Sequence, residues 1–151
     1  MKPTTLNSDM IWQQEYTLDQ LNGARLNNMT NHLGIVYTEL GNNFLVGTMP
    51  VNEKTTQPFG ILHGGASCVL AESLGSVCGW MTIDPNKYTA VGLEINANHI
   101  RSAASGLVEG RCTPIHVGRR TQVWSIEIRA QDTQKLVCVS RLTVAIIEKT
   151  A

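Results

Sequence analysis

From Gly64 to Met81 small and apolar residues run for about five helical turns with one charge among them, Glu72. Ala66, Val69, Leu70, Ser73, Leu74 and Val77 recur at the i, i+3, i+4 spacing of one helical face. Cys68, Ala71 and Cys78 carry the apolar character round to the other faces, the pattern of a helix buried on every side. Before it, Leu33 to Leu40 and Phe44 to Met49 predict two short strands around the turn Gly41-Asn42-Asn43. After it, Asp84-Pro85-Asn86 breaks the chain, and four strand-like stretches follow: Tyr88 to Ile100, Gly106 to His116, Arg120 to Ala130 and Leu136 to Ile147. In the third, Trp124, Ile126, Ile128 and Ala130 alternate with Ser125, Glu127 and Arg129. The last is apolar on both faces, as a central strand is.

The turns between these stretches, Ala103-Ala104-Ser105-Gly106, Val117-Gly118-Arg119 and Asp132-Thr133-Gln134-Lys135, are short enough for antiparallel hairpins. Ile11 to Leu26 is modestly amphipathic, with Ile11, Trp12, Tyr16, Leu18 and Leu21 as packing residues, and reads as one or two short helices. The expectation is an α+β fold in which an antiparallel sheet curls around one long helix. Residues 1–151 read as one domain, with about 1–30 as an N-terminal helical extension.

Charge narrows the partners. Twelve acidic and twelve basic residues cancel and are interspersed, so there is no basic stripe for nucleic acid and no acidic tail. Cys68, Cys78, Cys112 and Cys138 lack C-x-x-C spacing and sit in apolar stretches, as buried thiols of a reducing compartment do. No secretory leader pattern opens the chain and no apolar run reaches the roughly 18 residues of a membrane span, so a soluble cytoplasmic protein is expected.

Glu72 carries the chemistry. A carboxylate inside an oily helix is costly unless it is paired or used. Gly64 and Gly65 leave backbone N–H groups unobstructed at the positive end of the same helix, where a carbonyl oxygen gaining negative charge can be held. His63 lies nine residues before Glu72, roughly 13 Å along a helix axis, too far for both to act on one atom. The spacing points to a dimer in which the helix start of one copy faces Glu72 of another. A bent lead-in to the helix is the alternative.

Three blocks carry a resemblance to a known family. They are Gly60-Ile61-Leu62-His63-Gly64-Gly65 with Ala71-Glu72-Ser73-Leu74-Gly75-Ser76, then Val91-Gly92-Leu93-Glu94-Ile95-Asn96-Ala97-Asn98-His99, then His116-Val117-Gly118-Arg119-Arg120 with Gln122-Val123-Trp124. In this order they resemble the hotdog-fold acyl-CoA thioesterases over nearly the whole stretch from Leu33 to Ile147. The nearest likeness is to the subgroup that hydrolyses 1,4-dihydroxy-2-naphthoyl-CoA in menaquinone synthesis, and to the related enzyme that clears misloaded aryl carriers in siderophore synthesis.

The resemblance implies roles. Glu72 becomes the catalytic carboxylate, as nucleophile or as general base for water. Gln57, which otherwise reads as a turn residue before Pro58, and the Gly64 N–H become the donors that polarise the thioester oxygen. His63 takes a positioning role beside them, and Ser76, one turn after Glu72, orients the hydrolytic water. Gly92 lets the backbone approach the acyl or pantetheine moiety. The segments His99-Ile100-Arg101-Ser102 and His116-Val117-Gly118-Arg119-Arg120-Thr121 bind CoA, with Arg119 and Arg120 suited to its phosphates. No cofactor or metal is implied. The expected partners are an acyl-CoA, an acyl or aryl carrier protein, and further copies of the chain as a homodimer within a homotetramer. A non-catalytic acyl-CoA-binding module of the same fold is the other class, and Glu72 is what it would not need. A hotdog dehydratase is a weaker rival, since its His-plus-acid pattern differs.

Overall fold

The computed structural model describes residues 9–24 and 27–150. Its elements are α1 (Leu18–Gly23), α2 (Met29–His32), β1 (Val36–Leu40), β2 (Leu45–Pro50), α3 (Gly64–Met81), β3 (Tyr88–His99), β4 (Leu107–Val117), β5 (Thr121–Ala130) and β6 (Leu136–Glu148). The strands form one six-stranded antiparallel sheet in the order β1-β2-β4-β5-β6-β3. The long helix packs against β2 to β6. This is the hotdog arrangement that the pattern and the resemblance predict.

Alternation explains why the helix sits where it does. Trp124, Ile126 and Ile128 of β5, with Cys138, Leu142 and Val144 of β6, turn to one side and are buried with Leu70, Ala71, Leu74 and Cys78 of α3. A buried polar chain fastens the end of the helix to β5. Trp124 Nε1 donates to Gln122 Oε1 at 3.1 Å, and Gln122 Nε2 donates to Thr82 Oγ1 at 2.7 Å. Each polar atom of that chain has a partner, so its burial carries little penalty.

Three expectations need correction. The turn Ala103-Ala104-Ser105-Gly106 does not close a hairpin, because β3 pairs with β6 and not with β4. The chain instead crosses from one side of the sheet to the other beneath the start of α3. On the way the Arg101 N–H donates to Val137, and the Ala103 and Gly106 carbonyls accept from Leu62 and Val51. β6 pairs with β5 along one edge and with β3 along the other.

The N-terminal segment is less helical than its pattern suggests. Ile11 to Thr17 lies outside helix and strand, held by the Ile11 and Gln13 N–H groups on Asn42 and Met81 and by the Trp12 indole on the Gly41 carbonyl at 2.7 Å. Thr17 and Gln20 then form a reciprocal cap that starts α1. Leu26 falls outside the described residues.

The third correction concerns α3, which is not buried all round. Its sheet-facing side is covered, but Gly65, Glu72 and Trp80 are exposed and Val69, Ser73 and Ser76 half-buried along the opposite side. One sheet can cover only one side of a helix, and a single copy has no second layer. Edge strand β3 is open too, with Leu93 62% exposed beside a register shift between Gly92 and Glu94.

Candidate active site

At the start of α3 nearly every donor is already occupied, and His63 occupies them. As N-cap, His63 accepts the Gly65 N–H on Nδ1 at 2.8 Å, and its carbonyl accepts the N–H groups of Ala66 and Ser67 at 2.9 and 3.3 Å. The first four N–H groups of a helix have no partner within it. Here three of the four are spent on His63, and that of Gly64 has no partner among the described residues at the positive end of the dipole. The bond to Gly65 also requires Nδ1 to be without its proton, which leaves Nε2 as the donor nitrogen. His63 therefore caps and fixes the helix start.

Gln57 reaches the same place from the preceding turn. Its Oε1 accepts the Phe59 N–H at 2.6 Å, the bland turn function, and this leaves the amide N–H groups to donate elsewhere. Gln57 and Gly64 line one cavity of about 330 Å³ together with Ser67, His99, Ile100, Arg101 and Ser102. The His99 ring lies so close to Gly64 that a Cβ there would stand 2.7 Å from Nε2. Arg101 is tied by its NH1 to the Leu136 carbonyl at 3.2 Å. Ser67, only 1% exposed, was not among the sequence candidates and nothing in its local pattern singles it out.

Glu72 belongs to a second place. Its Oε1 lies 2.8 Å from where a Cβ on Gly92 would be, so the carboxylate rests against the bare backbone of β3 and would have to shift for a larger residue there. Ser76 follows on the same side of α3. Burial first, and the Glu72 charge second, push the Cys68 thiol up, so it stays protonated and does not compete as a nucleophile. Gly64 and Glu72 are eight residues apart on one unbroken helix, about 12 Å of rise, which removes the bent lead-in.

The third group is the β4–β5 hairpin. Gly118 N–H donates to the Thr121 carbonyl at 3.0 Å, and the Arg120 carbonyl accepts from Ile146 at 2.8 Å. His116, Val117, Arg119, Arg120 and Thr121 are all exposed, and neither arginine is in an ion pair among the described residues. Register links this hairpin to Glu72: Gln122 pairs with Val144, and Val144 pairs with Gly92. Two strand spacings, about 10 Å, separate them. One copy thus brings the carboxylate near the basic hairpin and keeps the helix-start donors apart from both.

Comparison with known proteins gives this arrangement a context. The sequence profile of the thioesterase superfamily matches residues 59–137, just over half of the chain. The chain belongs to the thioesterase superfamily. A 1,4-dihydroxy-2-naphthoyl-CoA hydrolase of Escherichia coli is 51% identical over 138 residues, 91% of this chain and 100% of that protein. The proofreading thioesterase EntH of Cronobacter sakazakii is 48% identical over 91% of this chain and 99% of its own length. Among solved structures, a thioesterase of Haemophilus influenzae superposes with a TM-score of 0.88 at 47% identity, covering 92% of this chain and 96% of that one. This thioesterase is accordingly an enzyme of the hydrolase class with a hotdog fold, as the sequence resemblance implies. No helix among its described residues is long and apolar enough to cross a membrane.

Proposed function

We propose that this thioesterase hydrolyses an aromatic acyl-CoA, 1,4-dihydroxy-2-naphthoyl-CoA or a related aroyl thioester, in the cytoplasm. The observation that carries the reading is the one helix-start donor of α3 without a partner among the described residues, the Gly64 N–H, in a cavity shared with Gln57 on a helix that also presents Glu72. Gly64 and Gln57 donate to the thioester oxygen as it gains charge. Glu72 attacks the carbonyl carbon or takes a proton from the water that does, with Ser76 orienting that water. The carbon–sulfur bond breaks and the thiolate departs with the electron pair.

The 12 Å between the two halves supports a site shared by two copies, with Gly64 of one facing Glu72 of the other. The open side of α3 and the free edge of β3 are surfaces a second copy would cover, and two such dimers make the proposed tetramer. His99 to Ser102 and His116 to Thr121 hold CoA in this reading. The likeness to a proofreading thioesterase favours a second one, in which an aryl carrier protein presents the same thioester.

Two measurements test the assignment. Across aroyl-CoA, short and long acyl-CoA and aryl-carrier thioesters, kcat/KM is expected to be highest for an aroyl thioester. A preference for long aliphatic chains would overturn it. Arg119→Ala and Arg120→Ala are expected to raise KM for acyl-CoA and spare kcat, since phosphates far from the reacting carbon are held equally in ground and transition states. Pantetheine thioesters, which lack the nucleotide, should be indifferent, and equal losses for both would free the hairpin of this role.

A further inference from the structure

The roles assigned above leave one cavity without a task. It encloses about 650 Å³ between the N-terminal segment and α3, and its walls include Tyr16, Asn22, Tyr37, Ser76, Val77 and Trp80. Ser76 stands one helical turn beyond Glu72, so the cavity opens within about 6 Å of rise from the proposed catalytic carboxylate. Its volume is in the range of small-molecule sites. Three aromatic rings, Tyr16, Tyr37 and Trp80, share the walls with polar side chains such as Asn22 and Ser76, and Tyr16 packs on Trp80 with centroids 5.3 Å apart and planes tilted by 54°. Flat, polarisable rings favour an aromatic guest through offset or edge contacts.

One polar group in these walls is anomalous. The Tyr16 hydroxyl is screened from water and has no hydrogen-bond partner, the one buried side-chain polar atom of this kind among the described residues. Its neighbour Asn22 is fully engaged, donating to the Tyr37 carbonyl and accepting the Tyr37 N–H, each at 2.9 Å. Burial pushes the Tyr16 phenol up, so at neutral pH it keeps its proton and can donate as well as accept. A buried hydroxyl without a partner is a standing cost unless something else supplies the bond. Tyr16 is itself one of the residues that line the cavity.

We propose that this cavity receives the acyl group of the thioester and that Tyr16 hydrogen-bonds a hydroxyl substituent on its aromatic ring, selecting hydroxyaroyl over unsubstituted aroyl thioesters. The inference rests on the reading of this protein as an aroyl thioesterase and adds the feature by which it tells one aroyl group from another. A site built to bond a substrate hydroxyl rejects the analogue without it, because its own polar group is then left unpaired.

The test compares the wild type with Tyr16→Phe on benzoyl-CoA and on its ortho-, meta- and para-hydroxy derivatives. The variant keeps the ring and loses only the oxygen. For at least one hydroxylated substrate kcat/KM is expected to fall about tenfold, while benzoyl-CoA changes by less than about twofold. The melting temperature of the free enzyme is expected to hold or rise, since an unpaired hydroxyl has been removed. A parallel loss on all four substrates, no loss on any, or a lowered melting temperature would overturn the role of Tyr16. Wild-type inactivity toward all four would instead bring down the aroyl-thioesterase reading, and this proposal with it.

Discussion

Glu72→Gln is expected to lower kcat for thioester hydrolysis by on the order of 10³ and to leave the fold untouched. The neutral isostere keeps the shape that rests against Gly92 and removes the charge on which either proposed role, nucleophile or base, depends. Because Glu72 is exposed in the protomer and forms no ion pair among the described residues, stability should change by less than about 0.5 kcal/mol. CoA should still bind, since the hairpin proposed to hold it is intact. Turnover near the wild-type rate in a folded Glu72→Gln protein would remove the carboxylate from the mechanism and favour a binding module.

Gln57→Ala is expected to cost on the order of 10²–10³ in kcat, the loss typical of one oxyanion donor. Its more telling use is in mixtures. If Gln57 and Gly64 of one copy serve Glu72 of another, a Gln57→Ala chain and a Glu72→Gln chain each spoil a different half. A mixed dimer then contains one site with both halves intact and one with neither. After exchange of equal amounts, roughly half the dimers are mixed, and activity should return to about a quarter of wild type although each parent is nearly inactive. No recovery after verified exchange would place both halves in a single copy. The Phe59 N–H loses its acceptor in Gln57→Ala, so a melting curve must accompany the rates.

The elements were largely legible because each pattern had a single local solution. Glycines at 64 and 65 and the apolar run to Met81 frame α3 at its observed bounds, and the alternation of Trp124, Ile126 and Ile128 identifies the buried side of β5. Pairing was not legible. A short loop after β3 is compatible with a hairpin, and alternation along each strand says which face is buried, not that β3 pairs with β6 and β4 with β2. The exposure of Glu72 was misread for a related reason: small and apolar residues such as Val69, Ser73 and Ser76 mark a surface that wants covering, and a sequence does not say whether the cover belongs to the same chain. The accounting of helix-start donors needed coordinates, since His63 spends three of them through its side chain and carbonyl. Tyr16 read as an ordinary packing residue because an unpaired hydroxyl leaves no trace in residue order.

The placement of the Gly64 donor and Glu72 at different levels of one helix also sets when activity begins. A newly folded chain completes its own sheet and helix, yet on the shared-site reading it holds the carboxylate of one reaction centre and the oxygen-binding donors of another. Hydrolysis must then wait for an encounter between copies, and its onset rises with the square of their concentration. Sparse, freshly made chains would leave the cell's activated acyl groups intact, and dilution alone would switch the enzyme off.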